Sequence, residues 1–234
     1  MFSDIYAPYH PLESWFYDSA VAPVISESID MNNDLQFQFM RSMPETARIL
    51  DVGCGGGHLA ASLAGRHPGW RITGVDLSVH QVRRALKRCG VLDEQTRFVA
   101  GSALALPFRS GSFDGLISVC AIKHWPEPAR GLAECLRVLR PGGTLAILEV
   151  DRNRGGDDER AFVARQRVPF FLKPFALAGF KWKVAARSLT MDEGVELFKG
   201  TAAAIRTYTM PGMPLWMIIA RKGTIQVTSQ GVNE

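Results

Sequence analysis

Hydrophobic and polar positions between residues 48 and 150 follow two alternating patterns. Short, mostly apolar runs of strand length occupy 48–52, 70–75, 96–100, 113–119 and 144–150. The stretches between them place apolar residues three and four apart, which is the spacing of one helical face. Strands that alternate with helices are typical of a parallel sheet covered on both faces, so the pattern predicts an α/β fold.

The helices between these runs have predictable ends. One helix begins within Leu59–Leu63, directly after a glycine-rich turn. A second has Ser78 as its N-cap and ends at Gly90. A third is amphipathic, and we expect the segment Pro141-Gly142-Gly143 to stop it before the fifth strand.

The last third of the chain predicts a short helix followed by a hairpin. Thr190 and Glu193 have the spacing of a capping box at a helix start. Residues 203–209 and 215–221 have strand patterns, and the turn at 211–214 is too short for a crossover helix. We therefore expect these two strands to pair antiparallel.

Composition and charge exclude several classes of protein. The net charge is +4, which is too small to indicate a nucleic-acid-binding protein. The four cysteines lack the CxxC spacing of a zinc knuckle and are typical of a reduced compartment. No apolar run is long enough to span a bilayer, and the first residues lack the pattern of a signal peptide. We therefore expect a cytoplasmic protein with no nucleic-acid partner.

The most informative segment is Ile49–Ala60, where an apolar strand enters a glycine-rich turn. Glycine allows positive φ and lets a ligand approach bare main chain. A dinucleotide fingerprint would have its third glycine at His58, and a P-loop would need Gly-Lys-Ser/Thr; neither is present. Asp51 would repel a pyrophosphate, so it favours a ligand with a cationic amino group and no phosphate. Asp76, at the end of the second strand, is placed to accept hydrogen bonds from ribose hydroxyls.

Three motifs together resemble the class I S-adenosylmethionine-dependent methyltransferases, in particular the small-molecule branch that includes ubiquinone and menaquinone methyltransferases. The motifs are Ile49–Gly57, Gly74–Ser78 and a block that runs from Phe113-Asp114 to Leu136–Gly143. The resemblance covers Ala47–Val150. It implies a Rossmann-like, seven-stranded, mostly parallel sheet with helices on both faces and an antiparallel last strand, which agrees with the predicted hairpin.

The resemblance also divides the chain into four parts within a single methyltransferase domain. These are an N-terminal arm or lid (1–46), a cofactor-binding core (47–151), a helical cap insert (152–200) and a C-terminal hairpin (201–223). At 234 residues the chain is long enough to bury a substantial core. Its oligomeric state is left open by the sequence.

The family's cofactor contacts carry over by position. S-adenosylmethionine would be the cofactor and S-adenosylhomocysteine the product. The residues implied to contact them are Asp51, Gly53, Cys54, Gly55, Gly57, Asp76, Leu77, Ser102, Ala103, Ser118 and Val119. Ser102 is a departure, because the family commonly has an aspartate there for the adenine amino group; a serine hydroxyl can still accept a hydrogen bond.

Catalytic candidates are few. His124 follows the fourth strand and is either a general base or an orienting residue. Cys54 and Cys120 fit small core residues better than nucleophiles. Lys123 is expected to be a solvated or rim charge. No residue set predicts a metal site, and the sulfonium methyl needs little more than alignment in a dry pocket.

Substrate candidates are aromatic residues in the arm and the cap, namely Tyr6, Tyr9, Tyr17, Phe170 and Phe171. The arm is acidic and the cap is basic, so one hypothesis is that the arm docks on the cap over the cofactor. The alternative is that these aromatic residues only pack the cap onto the sheet.

The sequence thus predicts methyl transfer to a small hydrophobic or aromatic molecule by in-line displacement. Two alternatives stay open. One is methylation of a lipid or isoprenoid quinone at a membrane surface, with peripheral contact and no stable insertion. The other is a non-catalytic protein that binds the cofactor and supports a partner. A dehydrogenase is a more distant alternative.

Overall fold

A seven-stranded sheet forms the centre of the computed structural model, which describes residues 17–30, 39–90, 94–166, 168–210 and 212–223. The strands in chain order are β1 (Arg48–Val52), β2 (Arg71–Asp76), β3 (Thr96–Ala100), β4 (Phe113–Val119), β5 (Leu139–Val150), β6 (Ala203–Thr209) and β7 (Leu215–Lys222). Their order across the sheet is β3-β2-β1-β4-β5-β7-β6. β7 pairs antiparallel with both of its neighbours, and the other pairs are parallel, so the predicted fold class is confirmed.

Helices cover the sheet on both faces. In chain order they are α1 (Ala22–Asp30), α2 (His58–Arg66), α3 (Val79–Cys89), α4 (Pro128–Val138), α5 (Asp157–Arg165), α6 (Lys173–Gly179) and α7 (Met191–Glu196). π-helical turns at Tyr17–Val21 and Phe180–Val184 precede α1 and follow α6. Single 3₁₀ turns lie at Met40–Ser42, Ile122–His124, Phe170–Leu172 and Ala185–Arg187.

Most predicted element ends are confirmed. The bounds of β1, β3, β4 and β6 are those predicted, and the Ser78 hydroxyl accepts a hydrogen bond from Gln81 N at 3.4 Å at the start of α3. Gly90 follows the last residue of α3. The Thr190 capping box with Glu193 has both of its hydrogen bonds at the start of α7.

One prediction at the start of the fifth strand is wrong. Helix α4 ends at Val138, and Leu139 already pairs with Phe113 of β4, so Pro141-Gly142-Gly143 lies inside β5. The register shifts between the pair Phe113–Leu139 and the pair Gly115–Thr144, so residues 140–143 form a bulge in β5. The pairing of Leu139 with Phe113 across 26 residues makes the chain extended earlier than the glycines suggest.

Alternate residues of the strands divide the core into two apolar clusters, one on each face. Ile49 and Ile117 belong to one cluster, while their neighbours Leu50 and Leu116 belong to the other. Helix α1 contributes to the first cluster together with α2 and with the cap, the segment 152–200. The strand order reverses between β1 and β4, and ligands in open α/β sheets bind outside the carboxyl ends of the strands at such a point.

Candidate active site

The glycine turn after β1 is held to the end of β2 by main-chain hydrogen bonds and by Asp76. Gly53 N donates to Val75 O at 2.8 Å, and Gly55 N donates to Asp76 Oδ2 at 2.9 Å. Ser78 N donates to the other carboxylate oxygen of Asp76 at 2.8 Å. Asp76 therefore fixes the shape of the turn, a role that the sequence analysis did not include.

Glycine occupies the three positions Gly53, Gly55 and Gly57 of the turn for different physical reasons. A Cβ on Gly53 would lie 2.4 Å from Ala121 Cβ, and one on Gly57 would lie 2.8 Å from Ala85 Cβ. These two positions therefore require glycine for packing, and both also have φ of 78°. Gly55 has φ of 51°, and a Cβ there would meet no atom within 4 Å. Of these three glycines, Gly55 is the one whose main chain borders open space.

Asp51 is the buried charge of the site. It is 2% exposed, and its Oδ2 has no hydrogen-bond partner within the described structure. Burial, with a smaller contribution from the charge of Asp76, raises the pKa of Asp51 from 3.8 to about 7. A carboxylate in this position is costly unless a cation neutralises it, so its surroundings fit a ligand that brings a positive group.

A cavity of about 420 Å³, including its open mouth, joins Asp51 to the arm. The glycine turn forms one wall, together with His58, Leu59 and Val119. Helix α1 forms the opposite wall with four small or apolar residues, Ala22, Ile25, Ser26 and Ile29. The arm therefore closes over the glycine turn, at the carboxyl ends of β1 and β4.

Asp18 fastens the arm to the glycine turn. Its carboxylate pairs with Arg88 of α3 at 3.0 Å and with His58 Nε2 at 3.2 Å. Arg88 also donates to Gly56 O, and a Cβ on Gly56 would lie 1.9 Å from Asp18 Oδ1. Burial alone would raise the pKa of Asp18, but the hydrogen bonds from His58 and Arg88 outweigh it and hold the pKa well below its usual range.

The hypothesis that the acidic arm docks on the basic cap through charge is not what the described residues show. Asp18 pairs with the core, at α2 and α3. In the cap, Lys181 pairs with Glu159 at 3.2 Å, and Arg152 pairs with Glu193 at 2.6 Å. Arm and cap meet through the apolar cluster on one face of the sheet. These basic side chains of the cap therefore pair with acidic residues of the cap itself, which a count of net charge does not reveal.

The residues at the end of β4 that were predicted to contact the cofactor occupy different positions. Val119 lines the cavity. Ser118 is buried, and its hydroxyl donates to Val52 O at 2.9 Å, so its side chain links β4 to β1. Cys120 has φ of 53°, and burial raises the pKa of its thiol to about 12, in keeping with the expectation that it is not a nucleophile. Burial likewise raises the thiol pKa of Cys54, which lines the cavity.

The predicted adenine side of the site lies beyond the ends of β2 and β3. Leu77 is exposed next to Asp76. The Ser102 hydroxyl accepts a hydrogen bond from Leu104 N at 3.1 Å, and Ala103 is half-buried against the second apolar cluster. None of these three residues is part of the wall of the cavity described above.

The prediction that Lys123 is a solvated or rim charge is wrong. Its ammonium is buried, 2.6 Å from Glu149 Oε1 and 2.8 Å from Cys120 O. Glu149 also accepts hydrogen bonds from the main-chain amides of Lys123 and Val150. Only the meeting of β4 and β5 creates this buried pair, since 26 residues separate its members.

His124 is half-buried beside the same pair. Burial, with the charges of Lys123 and Arg187, lowers the pKa of His124 to about 3. The ring is therefore neutral at neutral pH and a much weaker base than an ordinary histidine.

Of the predicted substrate residues, those whose side chains the structure describes do not line the cavity. Tyr6 and Tyr9 lie outside the described residues, as does the side chain of Tyr17. Phe170 and Phe171 are exposed on the cap, and neither lines the cavity. Helix α1 supplies the apolar wall instead.

The described residues contain neither a metal-binding cluster nor a membrane-spanning helix. No group of three or more His, Cys, Asp or Glu in that part of the chain is placed to hold a metal ion. Within the same residues, no helix is both long enough and apolar enough to cross a membrane.

Residues 50–147 match the family model described as a methyltransferase domain. The 2-methyl-6-phytyl-1,4-hydroquinone methyltransferase of Synechocystis sp. is 31% identical over 199 residues, which are 82% of this chain and 58% of that protein. The demethylmenaquinone methyltransferase of Thermus thermophilus is 36% identical over 102 residues, 44% of this chain and 46% of that protein. The chain thus spans about half the length of these curated relatives.

A solved structure has a similar fold. The plantazolicin methyltransferase BpumL, in complex with a monoazolic desmethylPZN analog and SAH, superposes with a TM-score of 0.64 at 16% identity, over 86% of this chain and 85% of that one. At that identity the likeness shows the fold. Together with the match of residues 50–147 to a methyltransferase domain, this fold confirms the resemblance to the class I S-adenosylmethionine-dependent methyltransferases that the motifs predicted.

Proposed function

We propose that this protein transfers the methyl group of S-adenosylmethionine to a small hydrophobic molecule. The observation that carries the proposal is the unpartnered, buried Oδ2 of Asp51 beside the open main chain of Gly55. A buried carboxylate without a partner needs a cation, and the α-ammonium of a methionine moiety supplies one. The cavity therefore suits the amino-acid end of such a ligand, with its cationic amino group at Asp51.

Each end of the cofactor has a group to hold it. Asp51 would bind the ammonium, and the main chain at Gly55 would lie against the ligand without a side chain between them. Asp76 would bind the ribose hydroxyls, since each carboxylate oxygen keeps a lone pair beyond the hydrogen bond it already accepts. Leu77 would offer its exposed side chain to one face of the adenine, and Ser102 its hydroxyl to the edge.

Bound S-adenosylmethionine supplies a methyl already activated by its sulfonium, so the chain must mainly align a nucleophile and exclude water. Val119 and the apolar wall of α1 provide a dry boundary at the carboxyl ends of β1 and β4. Asp18 holds that wall in place through Arg88 and His58. These residues position and enclose the reactants.

His124 is a weak candidate for a base in this scheme. With its pKa lowered to about 3, it takes up a proton at neutral pH far less readily than an ordinary histidine. We therefore assign it to orientation of the turn after β4, and we expect the acceptor to be nucleophilic without it.

The hydrophobic character of the acceptor is supported by the wall of α1 and by relatives. The residues that α1 contributes carry no charge. The relatives from Synechocystis and Thermus are named for a phytyl hydroquinone and a demethylmenaquinone. An apolar quinol or phenol is thus the first class of acceptor to test.

Calorimetry with S-adenosylmethionine and S-adenosylhomocysteine tests the site, and radiolabelled methyl transfer to a panel of apolar hydroquinones tests the activity. We expect binding of both ligands and transfer to at least one acceptor. Failure to bind S-adenosylhomocysteine would overturn the cofactor assignment. Binding without transfer to any acceptor would favour the non-catalytic alternative, and binding of NAD instead would favour a dehydrogenase.

A further inference from the structure

Five large apolar side chains are exposed on one segment of the cap, which we call the aromatic patch. They are Phe170 (83% exposed), Phe171 (62%), Leu172 (41%), Phe175 (75%) and Trp182 (79%). Single exposed apolar residues are ordinary, but a group of five within 13 residues is a feature of interaction surfaces.

The patch is not required to hold the cap on the sheet. The side of α6 and its flanking turn that faces the protein carries Ala176, Leu177 and Phe180, which pack against the first apolar cluster. Phe171, Phe175 and Trp182 follow the spacing of the opposite side, four and seven residues apart. The outer side of an ordinary surface helix is polar, so this segment is apolar on both sides.

The charged residues of the segment that carries the patch have one sign. Lysine and arginine residues are interleaved with the aromatic residues, and no acidic residue lies between Glu159 and Asp192. Lys181, directly before Trp182, is about half exposed although it contacts Glu159. Arg187 is exposed one turn further on. The surface is therefore apolar and cationic.

We infer that the aromatic patch is a docking surface for an anionic lipid bilayer. Tryptophan and phenylalanine insert into the boundary between headgroups and acyl chains, while lysine and arginine contact anionic headgroups. A second copy of this chain is a poor occupant, because two such patches facing each other would bring like charges together. A bilayer satisfies both properties of the surface at once.

This inference adds to the proposed function. Only the consequence for the substrate depends on that function. A chain docked through the cap would receive its hydrophobic acceptor from the lipid phase instead of from water. The cap directly follows β5 in the sequence, and its Phe162 and Phe180 share an apolar cluster with α1 of the cavity wall. Docking itself requires neither cofactor nor turnover.

The test is sedimentation of the full-length protein with phosphatidylcholine vesicles, with and without phosphatidylglycerol. We expect binding to the anionic vesicles that weakens with added salt. The double variant F175S/W182S should bind at least about tenfold more weakly, because burial of a large apolar side chain is worth about a decade or more in an equilibrium constant. Val79→Ser, which also removes an exposed apolar side chain but outside the patch, should bind as the wild type does.

Three outcomes would overturn the inference. They are no binding of the wild type to anionic vesicles, equal binding by F175S/W182S, and a dimer in sedimentation velocity that the double variant abolishes. Calorimetry with S-adenosylhomocysteine on the same preparations separates the two proposals: loss of vesicle binding with intact ligand binding contradicts only the docking surface. The reverse result contradicts only the cofactor site.

Discussion

Replacement of Asp51 by asparagine tests the electrostatics of the site most directly. The change keeps the shape of the side chain and removes its charge. The pKa of Asp51 is raised from 3.8 to about 7, a difference of about three pKa units, and each unit corresponds to about 1.36 kcal/mol. Ionisation of this buried group therefore costs the ligand-free protein up to about 4 kcal/mol.

The sign of the effect on stability follows from proton binding. Between about pH 4 and about pH 7 the folded state keeps a proton on Asp51 that the unfolded state has lost. The free energy of unfolding of the ligand-free protein should therefore fall as pH rises through this range. In D51N this part of the pH dependence disappears, and at about pH 8 the ligand-free variant should be more stable than the wild type.

The affinity for the ligand should change with pH in the direction opposite to the free energy of unfolding. The ionised carboxylate attracts the ligand's ammonium, so the affinity for S-adenosylhomocysteine should rise as pH approaches about 7 and then level off. Loss of a charge-assisted hydrogen bond costs about 1.5–3 kcal/mol, so D51N should bind roughly 10- to 150-fold more weakly at about pH 8.

The assays are urea unfolding and titration calorimetry, each at about pH 5 and about pH 8. Asp114→Asn is a matched control, because Asp114 accepts a hydrogen bond from Arg48 N at the opposite end of the sheet. It should leave ligand affinity unchanged. If D51N bound S-adenosylhomocysteine as tightly as the wild type, with the same pH dependence, the assignment of Asp51 to the ammonium would be refuted.

Three further predictions follow from the contacts of the site. Asp76→Ala should weaken S-adenosylhomocysteine binding by about 1–3 kcal/mol in calorimetry, because it removes a charge-assisted contact and the acceptor that shapes the glycine turn; unchanged affinity would contradict both roles. Gly56→Ala and Asp18→Ala should both weaken the binding of S-adenosylhomocysteine in calorimetry, because a Cβ on Gly56 displaces the Asp18 carboxylate. If the losses in the double variant were additive, the two substitutions would not act through this shared mechanism. Lys123→Met should lower the free energy of unfolding by about 3–5 kcal/mol, measured in urea, because it leaves the Glu149 charge buried without its partner; K123M/E149L should recover much of the loss, and no recovery would refute the pairing as the cause.

Local signals made much of the fold predictable. The bounds of β1 and β4 and the cap at Ser78 depend on residues close in sequence, which set apolar runs and helix ends. The start of β5 was missed, because the competition between helix and strand at Leu139 is decided by its pairing with Phe113 across 26 residues. Element type was thus readable from the sequence, while this boundary required the neighbouring strand.

Part of the candidate site has a local signal in the sequence as well. Asp51, Gly55 and Asp76 stand out because a ligand-approach turn needs glycine and its acids lie at strand ends. Asp18 and Arg88 gave no such signal: an acid in an arm and a basic residue in a helix are ordinary until the fold brings them together over the glycine turn.

The sequence by itself determined the α/β fold class of this protein, because the order of strands, glycines and acids between residues 48 and 150 is a local pattern. Tertiary structure alone decided which charges are buried and which apolar residues remain exposed. Lys123 lies in the interior because β5 brings Glu149 to it, and Phe175 and Trp182 face outward because Phe180 occupies the inner face. Burial is a property of what packs around a side chain, and residues distant in sequence supply that packing.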